Sequence, residues 1–131
     1  MKIYIASPYH NGEHADLIRL KEFFKEREIE WIDPMVAETE KITSADKWEE
    51  DLKWLDSCNV IFALIPDDRR CRGIFAELEY SYHEQKIMIV ISEYEHPFLS
   101  FIKKHGICVQ YNTINDFIEK IERAREMRKT T

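Results

Sequence analysis

The stretch Asn59-Val-Ile-Phe-Ala-Leu-Ile65 is of strand length, rich in β-branched and aromatic residues, and stopped by Pro66. An apolar run without alternation predicts a central parallel strand covered on both faces. Lys86-Ile-Met-Ile-Val-Ile91 has the same character. Lys2-Ile-Tyr-Ile-Ala6, Ile29-Glu-Trp-Ile-Asp33 (ended by Pro34) and Ile107-Cys-Val-Gln-Tyr111 predict three further strands. Between these runs the apolar period lengthens to that of helices. From Glu13 to Glu28, the residues Ala15, Leu17, Ile18, Leu20, Phe23 and Phe24 form a broad apolar face. A second helix, capped by Thr43 or Ser44, runs to about Ser57 with Trp48, Leu52 and Leu55 as its stripe and Trp54 off it. Gly73 opens a third, from Ile74 to about Gln85. Pro97 suits the first turn of a short fourth helix to about His105, with Gly106 as its C′ residue. Thr113 and Asp116 resemble a capping box for a last helix to about Met127, with Phe117, Ile118, Ile121 and Ala124 inward and a fraying basic tail.

Five strands alternating with five helices predict an α/β fold: a doubly wound, flavodoxin-like sandwich of a five-stranded parallel sheet, order 2-1-3-4-5, with helices on both faces. The whole chain, 1–131, is expected to form a single domain; there is no internal repeat, low-complexity segment or linker.

Net charge changes the picture by exclusion. At −6, from 19 basic and 25 acidic residues, the chain is a poor partner for a nucleic-acid polymer. A small anion remains compatible, because Arg69, Arg70 and Arg72 sit together. Cys58, Cys71 and Cys108 are odd in number and lack the spacing of a zinc site or redox pair. With no signal peptide and no apolar run near membrane-spanning length, a reduced, cytoplasmic protein off the membrane is expected.

In open α/β sheets the ligand crevice lies at the carboxyl ends of the strands, at the switch in strand order. That brings Ser7-Pro-Tyr-His-Asn-Gly12 and the loop Asp67-Asp-Arg-Arg-Cys-Arg-Gly73 together, with Glu77 pointing in from the helix that follows. A helix N-terminus there favours an anion; equally, Glu77 could be a solvated glutamate that suits the helix dipole. The candidates are Tyr4, Ser7, His10, His14, Asp33, Asp51, the three arginines, Glu77 and Glu79. There is no Walker loop, no GxGxxG, no nucleophile elbow and no set of ligands with metal spacing, so neither cofactor nor metal is expected. What remains is carboxylate chemistry: one carboxylate attacks an anomeric carbon, another handles the proton, and a serine with arginines holds a phosphate.

Three segments carry a family resemblance. Glu50-Asp-Leu-Lys-Trp-Leu-Asp-Ser-Cys-Asn-Val-Ile-Phe-Ala63, Gly73-Ile-Phe-Ala-Glu77-Leu78 and Ile3-Tyr-Ile-Ala-Ser7 together resemble the nucleoside 2-deoxyribosyltransferase superfamily, and within it the 2′-deoxynucleoside 5′-monophosphate N-hydrolases. The resemblance implies that Glu77 is the nucleophile attacking C1′, that Asp51 orients the sugar and manages protons, and that Tyr4 hydrogen-bonds the nucleophile. It implies that Ser7 contacts a phosphate, and that Ser100 reaches a neighbouring subunit's site, hence a homodimer or higher homo-oligomer. Two departures stand out. Cys71 occupies a position that is serine in the hydrolases and acidic in the transferases, and Glu79 stands where glycine is usual. Glu79 lies about 200° round the helix from Glu77 and is expected to face away.

The expected reaction is therefore cleavage of the N-glycosidic bond of a (2′-deoxy)nucleoside 5′-monophosphate, releasing base and sugar phosphate. The substrate contacts expected are Ser7, Tyr9, His10, Asp33, Arg69, Cys71, Arg72, Gly73 and Ser100, with the 35–42 loop over the pocket mouth. Two other functions fit the same residues: base exchange by a 2-deoxyribosyltransferase, and a non-catalytic nucleotide-binding module on the same fold.

Overall fold

Strand β3 (Val60–Leu64) is buried along its whole length and lies at the centre of the sheet. It pairs in parallel with β1 (Lys2–Ala6) on one side and β4 (Ile87–Ile91) on the other. Strands β2 (Glu30–Ile32) and β5 (Cys108–Tyr111) form the edges, giving the all-parallel order β2-β1-β3-β4-β5. The structure is a computed structural model that describes residues 1–8, 15–34, 44–66 and 71–130. Among these, the helices are α1 (Ala15–Glu26), α2 (Ser44–Asp56), α3 (Arg72–His83), α4 (Pro97–His105) and α5 (Ile114–Thr130).

Alternation within the strands sorts side chains onto two faces. Ile3, Ile5, Val60, Phe62 and Leu64 pack with Leu17, Leu20, Phe23 and Phe24 of α1 and Phe117 and Ile118 of α5. Tyr4, Ala6, Ile61, Ala63, Met88 and Val90 pack on the opposite face, with Leu55 of α2, Ile74 and Leu78 of α3, and Leu99 and Ile102 of α4. The register pairs Tyr4 with Ile61, which sets the phenol on the α2–α3 side of the sheet.

Several boundaries differ from those the pattern predicts. Helix α1 stops at Glu26 because Glu28 takes φ 56°. The chain then closes back with Ile29 N–H donating to Phe24 O and Glu28 N–H to Lys25 O, a left-handed stop made without glycine. Gln85, φ 58°, does the same beyond α3. Helix α3 starts at Arg72 with Cys71 at its N-cap, so Gly73 lies inside the first turn rather than before it. Gly106 follows α4 in an extended conformation, not a left-handed one. A Cβ there would sit 3.0 Å from Ile102 O and 2.9 Å from Met88 Cε, so close approach is what requires the glycine. Helix α5 continues to Thr130 instead of fraying near Met127, because Arg, Glu, Met and Lys are good helix formers even without a buried face.

Some inward assignments are also corrected. Ile18 is 41% exposed, and Ala15 and Ala124 are exposed as well. On α2, Trp48 faces outward while Trp54 packs against the core. The buried stripe of α2 therefore runs through Asp51 and Leu55 rather than through Trp48. Thr113 does cap α5, its Oγ1 accepting from Asp116 N–H at 3.1 Å.

Candidate functional site

Two elements carry the central side chains. Because β1 alternates, Tyr4 projects into the layer occupied by α2 and α3, where it is fully buried. Glu77, between Ile74 and Leu78 on the inward face of α3, is 8% exposed. Ser81, one turn on, donates its hydroxyl to Glu77 O at 2.8 Å. Tyr80 donates to Asp56 Oδ1, tying α3 to the end of α2. Asp51 is half-buried on α2.

The electrostatics join these groups. Burial pushes the Glu77 carboxyl up to about 7 from an ordinary 4.5. Tyr4 works against that rise, the negative charge of Asp51 adds to it, and the ammonium of Lys47 on α2 opposes it. The Tyr4 phenol is held neutral, first by burial and then by the Glu77 carboxylate beside it. The phenol and carboxylate interact without completed hydrogen-bond geometry: Tyr4 Oη and Glu77 Oε2 are both buried and have no hydrogen-bond partner. Glu77 also lies beyond the first turn of α3, where the helix dipole acts most. Desolvation outweighs the opposing Tyr4 interaction, and at neutral pH the group is poised between its two forms.

Around this centre the other predicted residues take varied positions. Ser7 is buried at the carboxyl end of β1. Asp33, just past β2, is 6% exposed and ion-paired to Lys21 of α1, Nζ to Oδ2 at 2.7 Å. Cys71 is buried at the N-cap of α3 without capping it through its side chain. Arg72 is exposed in the first turn. Gly73 is exposed too, and a Cβ on it would meet nothing within 4 Å, so packing within the chain does not demand a glycine there. Ser100 is exposed on α4, outside the Tyr4–Glu77–Asp51 group. Glu79 faces away as expected, with His83 Nε2 4.0 Å from its carboxylate. Tyr9, His10, His14, Arg69, Arg70 and the 35–42 loop lie outside the described residues.

Lys47 and Lys21 are the site residues that the sequence reading missed. Lys47 stands four residues before Asp51 and eight before Leu55, which is fully buried. Reading the α2 stripe through Leu55 and Asp51 would have found it. Among the described residues, no group of three His, Cys, Asp or Glu side chains is placed to hold a metal ion, and no helix is long and apolar enough to cross a membrane.

No protein-family model matches the chain, and no curated protein sequence does. Solved structures do match. A 2-deoxyribosyltransferase from Bacillus psychrosaccharolyticus aligns over 89% of this chain and 90% of its own, at 21% identity and TM-score 0.69. The CMP N-glycosidase BcmB of Clostridium botulinum aligns over 93% and 98%, at 15% identity and TM-score 0.73. A conserved protein from Enterococcus faecalis V583 aligns over 94% and 98%, at 14% identity and TM-score 0.64. The fold implied by the family resemblance is the fold observed, and two proteins that share it are a deoxyribosyltransferase and an N-glycosidase.

Proposed function

We propose that this protein is an N-glycosidase that cleaves the bond between base and sugar in a (2′-deoxy)nucleoside 5′-monophosphate, with Glu77 as nucleophile. The observation that carries this reading is the buried Glu77 carboxyl, which lies under the charge of the half-buried Asp51 and beside the buried Tyr4 phenol. Ionised Glu77 attacks C1′ as the glycosidic bond breaks, and the departing base takes a proton from Asp51 or from water. The sugar phosphate is then esterified to Glu77. Water attacks C1′, the ester bond to the carboxylate breaks, and the sugar phosphate leaves with a hydroxyl while Glu77 returns to its starting form. The proton released matches the one given to the base.

Ser7 and Arg72, at the carboxyl end of β1 and the start of α3, are the proposed phosphate contacts. Tyr9, His10, Asp33 and Arg69 are further proposed contacts, while Cys71 offers a neutral wall that does not repel an anion. Gly73 allows close approach of the ligand. We also propose a cytoplasmic homodimer in which Ser100 serves the site of a second copy.

A second reading has its own support in the deoxyribosyltransferase that shares this fold. There the first half-reaction is the same and a second base, not water, attacks the glycosyl-enzyme. Free-base release from nucleosides and 5′-monophosphates, in deoxy and ribo forms, with and without a second base, separates the two. Base released from monophosphates by water alone supports the hydrolase. Exchange that needs a second base moves the activity to transfer. Binding without any release favours a non-catalytic module.

A further inference from the structure

A second crevice lies across the sheet from the Tyr4–Glu77–Asp51 group. It is a cavity of about 190 Å³ at the carboxyl ends of β3, β4 and β5, between the first turns of α1 and α5. Leu17, Leu64, Ile91 and Ile114 line it, all from the core layer on the α1–α5 side. Tyr4, with Ile74 and Leu78 beside Glu77, belongs to the opposite layer. A cavity of about 150 Å³ can take one benzene ring, so this one has room for a single flat ring system.

Its polar groups select the ligand. Ser92 lines the cavity, is 3% exposed, and accepts from Tyr94 N–H through its Oγ at 3.0 Å. The hydroxyl proton of Ser92 has no acceptor among the described residues, and a buried donor left so costs stability. At the first turn of α5, Thr113 takes the N–H groups of Asp116 and Phe117. Those of Ile114 and Asn115 have no partner among the described residues. These donors call for a ligand that carries acceptors. The charged side chains of the lining, Asp16 and Glu93, are both acidic, and among the described residues no basic one joins them. They repel a phosphate or a carboxylate and can accept from ligand N–H groups. A cation would meet the donors with the wrong sign. Exposed Tyr94 offers an aromatic ring for stacking.

We infer that this cavity is a binding site for a free nucleobase, separate from the Glu77 site. The ligand is a neutral, flat heterocycle. Its carbonyl or ring-nitrogen acceptors meet Ser92 and the start of α5, and its N–H donors meet the acidic rim. The choice of a nucleobase among neutral heterocycles rests on the proposed reaction, which releases one. The acidic rim disfavours a phosphorylated molecule, so the site takes the product base and not the nucleotide substrate.

The test is proton–nitrogen correlation NMR of the full chain, titrated with adenine, cytosine and thymine and, separately, with inorganic phosphate. At least one base is expected to give saturable shifts at the amides of Ser92, Tyr94, Thr113 and Ile114, with a Kd on the order of 0.1–1 mM. The shifts should be the same in wild type and in Glu77→Gln. Phosphate should leave these amides in place. Ser92→Ala should weaken base binding by about 3- to 10-fold, the size of one lost hydrogen bond; the wild-type titration decides the matter even if that variant fails to fold. No saturable shift at these amides, with any base at up to about ten times the expected Kd, overturns the inference. So do shifts confined to the surroundings of Tyr4 and Glu77. Phosphate moving the same amides as strongly also overturns it, since the cavity would then be an anion site at the start of α5. If a base binds here but wild type releases none from any substrate, the site stands and the catalytic reading of Glu77 is what fails.

Discussion

Tyr4 and Glu77 meet inside the protein, the phenol from the third residue of β1 and the carboxylate from the second turn of α3. Each is buried, each perturbs the other's titration, and Tyr4 Oη and Glu77 Oε2 are both left without a hydrogen-bond partner. Unpaired polar atoms at this depth cost stability. They are useful only where a substrate or a change of charge completes them, which is how a glycosidase site would use them.

The ionisation of Glu77 should be visible in stability. Its folded value, about 7, lies above the ordinary 4.5. The protonated form therefore favours the folded state. That contribution is full below about pH 4.5 and is lost as pH rises through 7, to a total of about 3 kcal/mol. Glu77→Gln cannot ionise and should escape the loss. We expect wild type and variant to be similar near pH 5, and the variant to melt at clearly higher temperature near pH 8. Equal melting profiles at both pH values would contradict the burial of an ionisable carboxyl here.

Tyr4→Phe and Asp51→Asn should move the acid limb of the pH–rate profile in opposite directions. The Tyr4 interaction lowers the Glu77 value and the Asp51 charge raises it. Loss of the phenol should shift the limb to higher pH, and loss of the Asp51 charge to lower pH. Tyr4→Phe also removes an unpaired buried oxygen, so its stability should match wild type within about 1 kcal/mol. Asp51→Asn should cost about 10²- to 10⁴-fold in rate at its best pH, the usual range for a lost proton-transfer group.

The two described glycines should respond differently to alanine. Gly106→Ala drives a methyl against Ile102 O and Met88 Cε, and should destabilise by about 1–3 kcal/mol in denaturant unfolding. Gly73→Ala meets open space and gains helix propensity, so stability should hold or rise by about 0.5 kcal/mol. If ligand approaches the backbone there, the same change should raise KM several-fold. An unaltered KM would remove Gly73 from the substrate contacts.

Much of this arrangement could be read from the chain. The unalternating runs at Val60–Leu64 and Ile87–Ile91 signalled buried parallel strands, and the spacing of strands and helices led to the observed order. The family resemblance carried by Ile3-Tyr-Ile-Ala-Ser7 and Gly73-Ile-Phe-Ala-Glu77-Leu78 pointed to Tyr4 and Glu77. Less legible was whatever depends on depth. Pattern cannot say that Glu77 sits far enough inside for desolvation to outweigh the Tyr4 interaction. It also could not choose between Trp48 and Trp54 as the buried indole of α2, because the two differ by less than two turns and both are apolar. That choice hid Lys47. The helix stops at Glu28 and Gln85 were equally hidden, since neither residue type announces a left-handed conformation.

The most direct test of the account is intact-protein and peptide mass spectrometry of acid-quenched mixtures with a deoxynucleoside 5′-monophosphate. The account predicts a transient added mass equal to the sugar phosphate less one water, mapped to Glu77. It also predicts that Glu77→Gln lacks this mass and that its base release falls by about 10³-fold or more. Base release at an undiminished rate from Glu77→Gln, or an adduct mapped to a different residue, would contradict it.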